Sequence, residues 1–152
     1  MTSSRVQFVF VLLTLVIGAA IEELVPKWCG VGFPVLLVAV QYMASRRVAM
    51  GMAFFAIAAG AVEDALSSMP TMTSVSYFLA VAVLTRWSEL PRVTTVLTYP
   101  FYQLWLKLWV SGMGGNIFQR ILVSLPVGLA AAFVVTAVLG WVERKAAIDG
   151  EG

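Results

Sequence analysis

The chain has 152 residues, 61% of them hydrophobic and 12% charged, with a formal net charge of +2. Such a composition excludes a water-soluble globule, because a chain this short cannot enclose so much apolar surface, and the small net charge argues against nucleic acid as a partner. With no histidine and a single cysteine, Cys29, the sequence cannot build a His-bearing metal site, a Ser/His/Asp triad, a Cys/His pair or an internal disulfide. No metal and no cofactor are expected.

Cutting the chain at charges and turn residues gives six apolar spans, at about 6–25, 31–45, 48–63, 73–87, 93–111 and 117–142. At ~20 residues per crossing of a ~30 Å hydrocarbon layer, six helices use about 120 residues and leave roughly 32 for tails and connections. The expected fold class is therefore all-α, a polytopic bundle of six transmembrane helices. Residues 1–152 form one integral membrane domain with short cytoplasmic tails at about 1–5 and 143–152. Function must then reside on helix faces, in polar residues at membrane depth, or in short loops.

In the first span, Arg5, an uncharged stretch and Gly18-Ala19-Ala20 have the form of a signal peptide, but its removal would leave five helices and termini on opposite sides. The span is expected to be retained. Glu22 and Glu23, followed by Pro26 and Lys27, are expected to stop this helix at a solvated outer end.

The third span carries the most informative residues. The stretch between Arg47 and Glu63 is about 22 Å of helix, shorter than the hydrocarbon layer, which submerges Glu63 and Asp64. Ala49, Ala53, Ala56 and Gly60 lie within roughly 60° of one another on a helical wheel, a seam for close packing whose face the acids bracket. The competing reading is that the two acids only mark a helix end among headgroups. Ser67, Ser68, Pro70, Thr71, Thr73, Ser74 and Ser76 follow, and two forms remain open for residues 63–76: a partly embedded hairpin facing the bundle, or a plain exposed loop.

Along the fifth span Thr95, Tyr99, Gln103, Lys107 and Ser111 recur every four residues as a polar stripe. Lys107 must either snorkel outward or pair with Glu22, Glu23, Glu63 or Asp64. Pro100 and Pro126 are expected to kink the fifth and sixth helices, residues 112–116 form a tight turn, and Asn116 with Gln119 has the form of a helix N-cap. Placing both termini inside puts Arg5, Arg46, Arg47, Arg86, Arg92, Arg144 and Lys145 in the cytoplasm against Lys27 and Arg120 outside, as the positive-inside rule requires. Trp28, Trp87, Trp109 and Trp141 fall near span ends, where aromatic belts form.

The stretch from Gly60 to Pro70, with Gly60, Asp64, Ser67 and Pro70 at the matching places, resembles the signature region of the MreD family of rod-shape-determining proteins. The chain departs from that pattern after Pro70, where many members have glycine and this sequence reads Thr71-Met72-Thr73. The resemblance implies a non-enzymatic subunit of the bacterial inner membrane. Its partners would be membrane lipid, the periplasmic scaffold MreC and, directly or indirectly, cytoskeletal MreB and other elongation-complex proteins, linking cell shape to peptidoglycan synthesis. The family's six-helix plan is similar to that of the substrate-binding components of energy-coupling-factor vitamin transporters.

Two functions are weighed on the residues. In a scaffold, the Ala49/Ala53/Ala56/Gly60 seam, Glu63, Asp64, Ser67, Gln103 and Lys107 serve partner binding and buried polar pairing. In a small-molecule uptake component, Glu63, Asp64, Gln103 and Lys107 line an outward pocket, with Trp105 and Trp109 against a flat ligand. Few spans devote polar residues to one depth, which favours the scaffold. An enzyme using Glu63 and Asp64 alone is the least supported.

Overall fold

The computed structural model describes residues 4–46, 49–87, 91–109 and 116–149, with side-chain surroundings for 8–46, 51–87, 96–109 and 116–146. The described residues form six helices and no strand: α1 (Ser4–Cys29), α2 (Val35–Arg46), α3 (Ala49–Leu66), α4 (Thr73–Trp87), α5 (Pro91–Trp109) and α6 (Ile117–Asp149). Arg5, Arg47, Thr95, Arg92, Ser111 and the turn at 112–115 lie outside the residues whose side chains are described, as does the side chain of Ala49.

Two stretches, Phe8–Cys29 and Ile117–Ala146, are long and apolar enough to cross a membrane. Large apolar side chains are also exposed on every helix except α2, among them Phe8, Phe54, Leu84, Leu108 and Phe133. An apolar exterior of this extent is a membrane or partner surface, since contiguous exposed apolar patches are rare on soluble monomers. Trp28, Trp87 and Trp109 are exposed at helix ends, and Trp141 is exposed about two turns before the close of α6.

The centre of the bundle is α2. Its 12 residues are about 18 Å of helix, and Val35 to Ala44 are all buried. It packs on all five other helices. The sequence pattern marks this stretch as one more crossing. The structure makes it a short core helix, begun by Pro34, where a prolyl ring is compatible with a helix start, and enclosed by longer neighbours. The most extensive pairings are α5 with α6 and α3 with α4.

The bundle has two chemically distinct ends. At one, Glu143 of α6 accepts hydrogen bonds from Tyr42 Oη (2.7 Å) and from Arg46 (3.0 Å), joining the close of α2 to the last turns of α6. At the other lie the α1–α2 connection, the α3–α4 turn and the start of α6, where the Asn116 side chain accepts the Phe118 N–H as an N-cap. The acids of interest sit at this second end.

Candidate functional site

Two helix starts at this end are capped by carboxylates from other helices. The first residues of a helix present N–H groups with no partner inside the helix, and a carboxylate satisfies them while meeting the positive end of the helix dipole. Asp64, near the close of α3, accepts the Ser74 N–H at 2.8 Å. Glu22, in the last two turns of α1, accepts the Leu36 N–H at 2.6 Å. Ser74 and Leu36 occupy the second position of α4 and of α2 respectively.

Each acid stands four residues after a glycine that lets the capped helix approach. A Cβ on Gly60 would lie 2.5 Å from Val75 Cα and 2.7 Å from its N, a collision with backbone. A Cβ on Gly18 would lie 2.8 Å from Leu36 Cδ2, the tip of a side chain. Glycine is needed at Gly60 because α3 and α4 touch main chain to main chain.

The connection from α3 to α4 shows how the cap is delivered. After Leu66 the chain closes α3 with a Schellman-type turn: the Met69 N–H reaches back to the Asp64 carbonyl (3.0 Å), and Ser68 adopts a left-handed φ of 50°. Pro70 then prevents the helix from continuing, and Met72, at φ 73°, turns the chain into α4. Residues 67, 68 and 70–72 are exposed while Thr73 and Ser74 are buried, so neither form expected for 63–76 holds throughout: the turn is open and its far end is sealed.

Behind the cap, Ser74 Oγ and Tyr102 Oη are hydrogen-bonded at 2.6 Å, and Trp105 Nε1 donates to the Thr73 carbonyl at 2.9 Å. The Tyr102 ring packs on Tyr77 and Phe78, with centroids 5.0 and 5.7 Å apart. These contacts fasten the start of α4 to α5. Trp105 is therefore engaged in holding α4, and its ring packs at a tilt against Trp109, centroids 5.6 Å apart.

Two cavities adjoin at this end, sharing Gly32, Tyr99, Gln103 and Leu106 as lining. The narrower, about 190 Å³, is bordered by Glu22 and Glu63 and walled by Phe33, Phe78 and Tyr102. The wider, about 490 Å³, presents Asn116, Gln119, Arg120 and Ser124 from α6. The Tyr99 hydroxyl lies within electrostatic reach of Glu22, Glu63 and Arg120 together, and donates to the Gly32 carbonyl at 3.3 Å.

The site residues expected from sequence divide accordingly. Asp64 is 5% exposed and serves the cap. Glu63 is half-buried, borders the narrow cavity and accepts a hydrogen bond from exposed Ser67 at 3.3 Å. Gln103 lines both cavities. Lys107, one turn further along α5, is exposed and lines neither; it makes no ion pair with Glu22, Glu23, Glu63 or Asp64. Of the seam, Ala56 and Gly60 are buried and Ala53 half-buried, whereas the centre of the buried stripe is Met52, Phe55, Ala56, Ala59, Gly60 and Asp64. The seam is rotated toward the larger Met52 and Phe55, and at Gly60 it is covered by the chain's own α4.

One expectation is corrected outright. Glu22 does not end α1 in solvent: the helix runs on through Pro26 to Cys29, closing where the Gly30 N–H meets the Pro26 carbonyl at 2.9 Å. Proline there forfeits a single main-chain bond, and the tertiary contacts of Gly18 and Glu22 hold the helix together past it. Only Glu23 faces outward, paired with Lys27 at 2.8 Å. Sequence reasoning also passed over Tyr99, Tyr102 and Arg120 as site residues. The signal for Glu22 was its spacing from Gly18, identical to that of Asp64 from Gly60.

Among the described residues no group of three or more His, Cys, Asp or Glu side chains could hold a metal ion. No family model, characterised protein or solved structure matches the chain.

Proposed function

We propose that the protein is a six-crossing subunit of the bacterial inner membrane, of the MreD type, with both termini in the cytoplasm. In this reading it is a non-catalytic scaffold that holds an MreC-like partner at its outer face and links MreB to peptidoglycan synthesis. The observation that carries it is the α3–α4 junction: Gly60 and Asp64, two of the four residues that carry the resemblance, are its close-approach residue and its cap. A scaffold needs a rigid face to present, and a turn whose far end is capped, buried and fastened to α5 supplies one. Arg46, Arg86, Arg144 and Lys145 stand toward one end of the bundle, and Lys27, Lys107 and Arg120 toward the other, the asymmetry expected when the first end faces the cytoplasm.

Mild solubilisation from the native membrane, followed by identification of co-purifying proteins, tests the proposal. An MreC-like protein is expected with the wild-type chain and with Glu23→Ala, and at several-fold lower yield with Asp64→Ala. Equal yields from all three would remove the junction from the binding face. Recovery of a nucleotide-binding transport module in place of such a partner would favour a second reading, a small-molecule uptake component. That alternative draws on the cavities, to which α1, α3, α5 and α6 all contribute polar side chains at one end.

A further inference from the structure

The paired cavities combine charges that the scaffold reading does not use. Glu22 and Glu63 both border the narrow chamber. Neither makes an ion pair among the described residues, since Lys27 is held by exposed Glu23. Glu22 Oε1 is occupied by the cap, while its Oε2 is buried and without a hydrogen-bond partner. A buried carboxylate oxygen with no donor, sharing a small cavity with a second carboxyl, calls for a cation or a proton between them. The surrounding walls are aromatic, from Phe33, Phe78, Tyr99 and Tyr102, a lining that favours an organic ammonium over a strongly hydrated metal ion. On the far side of Tyr99 the wider chamber presents the opposite chemistry: the Arg120 guanidinium with the amides of Gln119 and Asn116, a donor set for phosphate or carboxylate.

We propose that this cavity pair binds a short aminoalkyl phosphate zwitterion, its ammonium between Glu22 and Glu63 and its phosphate at Arg120, laid across the Tyr99 hydroxyl. The same chemistry is offered by the headgroup of an aminophospholipid and by a free aminoalkyl phosphate. The site lies at the end of the bundle carrying Trp28 and Trp109, the level of the headgroups in the proposed orientation. The inference concerns these cavities alone and stands or falls independently of the MreC-like partner.

The test uses the full-length chain in nanodiscs of phosphatidylglycerol, with and without phosphatidylethanolamine, and reads bound lipid by native mass spectrometry and stability by thermal unfolding. For a headgroup, phosphatidylethanolamine is retained at least tenfold above its share of the bilayer, and the enrichment disappears in Glu63→Gln and Arg120→Gln but persists in Glu23→Gln. For a free ligand, millimolar O-phosphoethanolamine raises the melting temperature in phosphatidylglycerol discs, with the same dependence on Glu63 and Arg120 and no lipid enrichment. Gln103→Leu, which keeps every charge and both caps, replaces any variant that does not fold and is expected to weaken retention several-fold. The proposal is overturned if both lipids are retained in proportion and O-phosphoethanolamine has no effect, the pair then being bridged by a proton alone. It is equally overturned if enrichment occurs unchanged in Glu63→Gln and Arg120→Gln.

Discussion

The α1–α2 and α3–α4 junctions use one device with different outcomes. In each, a glycine admits the next helix and an acid four residues later caps its second N–H. At α3–α4 the approach is backbone on backbone, the acid is the shorter aspartate, and Tyr102 and Trp105 seal it from behind. At α1–α2 the approach is onto a leucine tip; the second oxygen of each acid is buried without a hydrogen-bond partner, and the longer glutamate also borders a cavity. A short acid with backbone against backbone makes a closed lock, whereas a long acid with a side-chain tip at the contact leaves a cavity beside it.

The largest effect that would sharpen this contrast is at Gly60. Gly60→Ala forces a methyl into the Val75 main chain, which cannot step aside, and should lower stability by about 3 kcal/mol, the upper range for overpacking. Melting in detergent should show it clearly. Asp64→Ala should follow at roughly 2 kcal/mol, because the Ser74 N–H is left buried without an acceptor, while Asp64→Asn, itself a good capping residue, should recover at least half of that loss. Gly18→Ala should cost about 1 kcal/mol, since Leu36 Cδ2 can rotate away. If Gly18→Ala proved as damaging as Gly60→Ala, the two junctions would be equivalent locks and the contrast would fail.

The smallest effect concerns Lys107. Being exposed and unpaired with the acids, its replacement by methionine should change stability by less than about 0.5 kcal/mol, and Lys107→Met with Glu63→Gln should be additive in melting. Non-additivity beyond that margin would restore a pairing between α3 and α5.

Much of the architecture is readable from the chain, because apolar runs broken by charge and proline read as helices; the described residues form six, two of them long and apolar enough to cross a membrane. The Gly60–Asp64 face is readable too, since a small residue four positions before an acid puts both on one side of a helix. What escaped is tertiary in origin. Glu22 beside Pro26 and Lys27 has the local signature of a solvated helix end, and only the N–H of Leu36, fourteen residues on, turns it inward. The brevity of α2 and the burial of Val35 to Ala44 are set by its five neighbours, and periodicity cannot separate a buried helix from a membrane-spanning one. Arg120 looks like an outer flanking charge until α5 and the Gly30–Gly32 segment close a cavity around it.

Amide hydrogen exchange at the start of α4 tests the capping of Ser74 by Asp64 most directly. In detergent-solubilised protein, Asp64→Ala should accelerate exchange of the Ser74 amide about tenfold or more, the equivalent of roughly 1.4 kcal/mol, with the second half of α4 unchanged. Identical protection of that amide in the wild type and the variant would contradict the account.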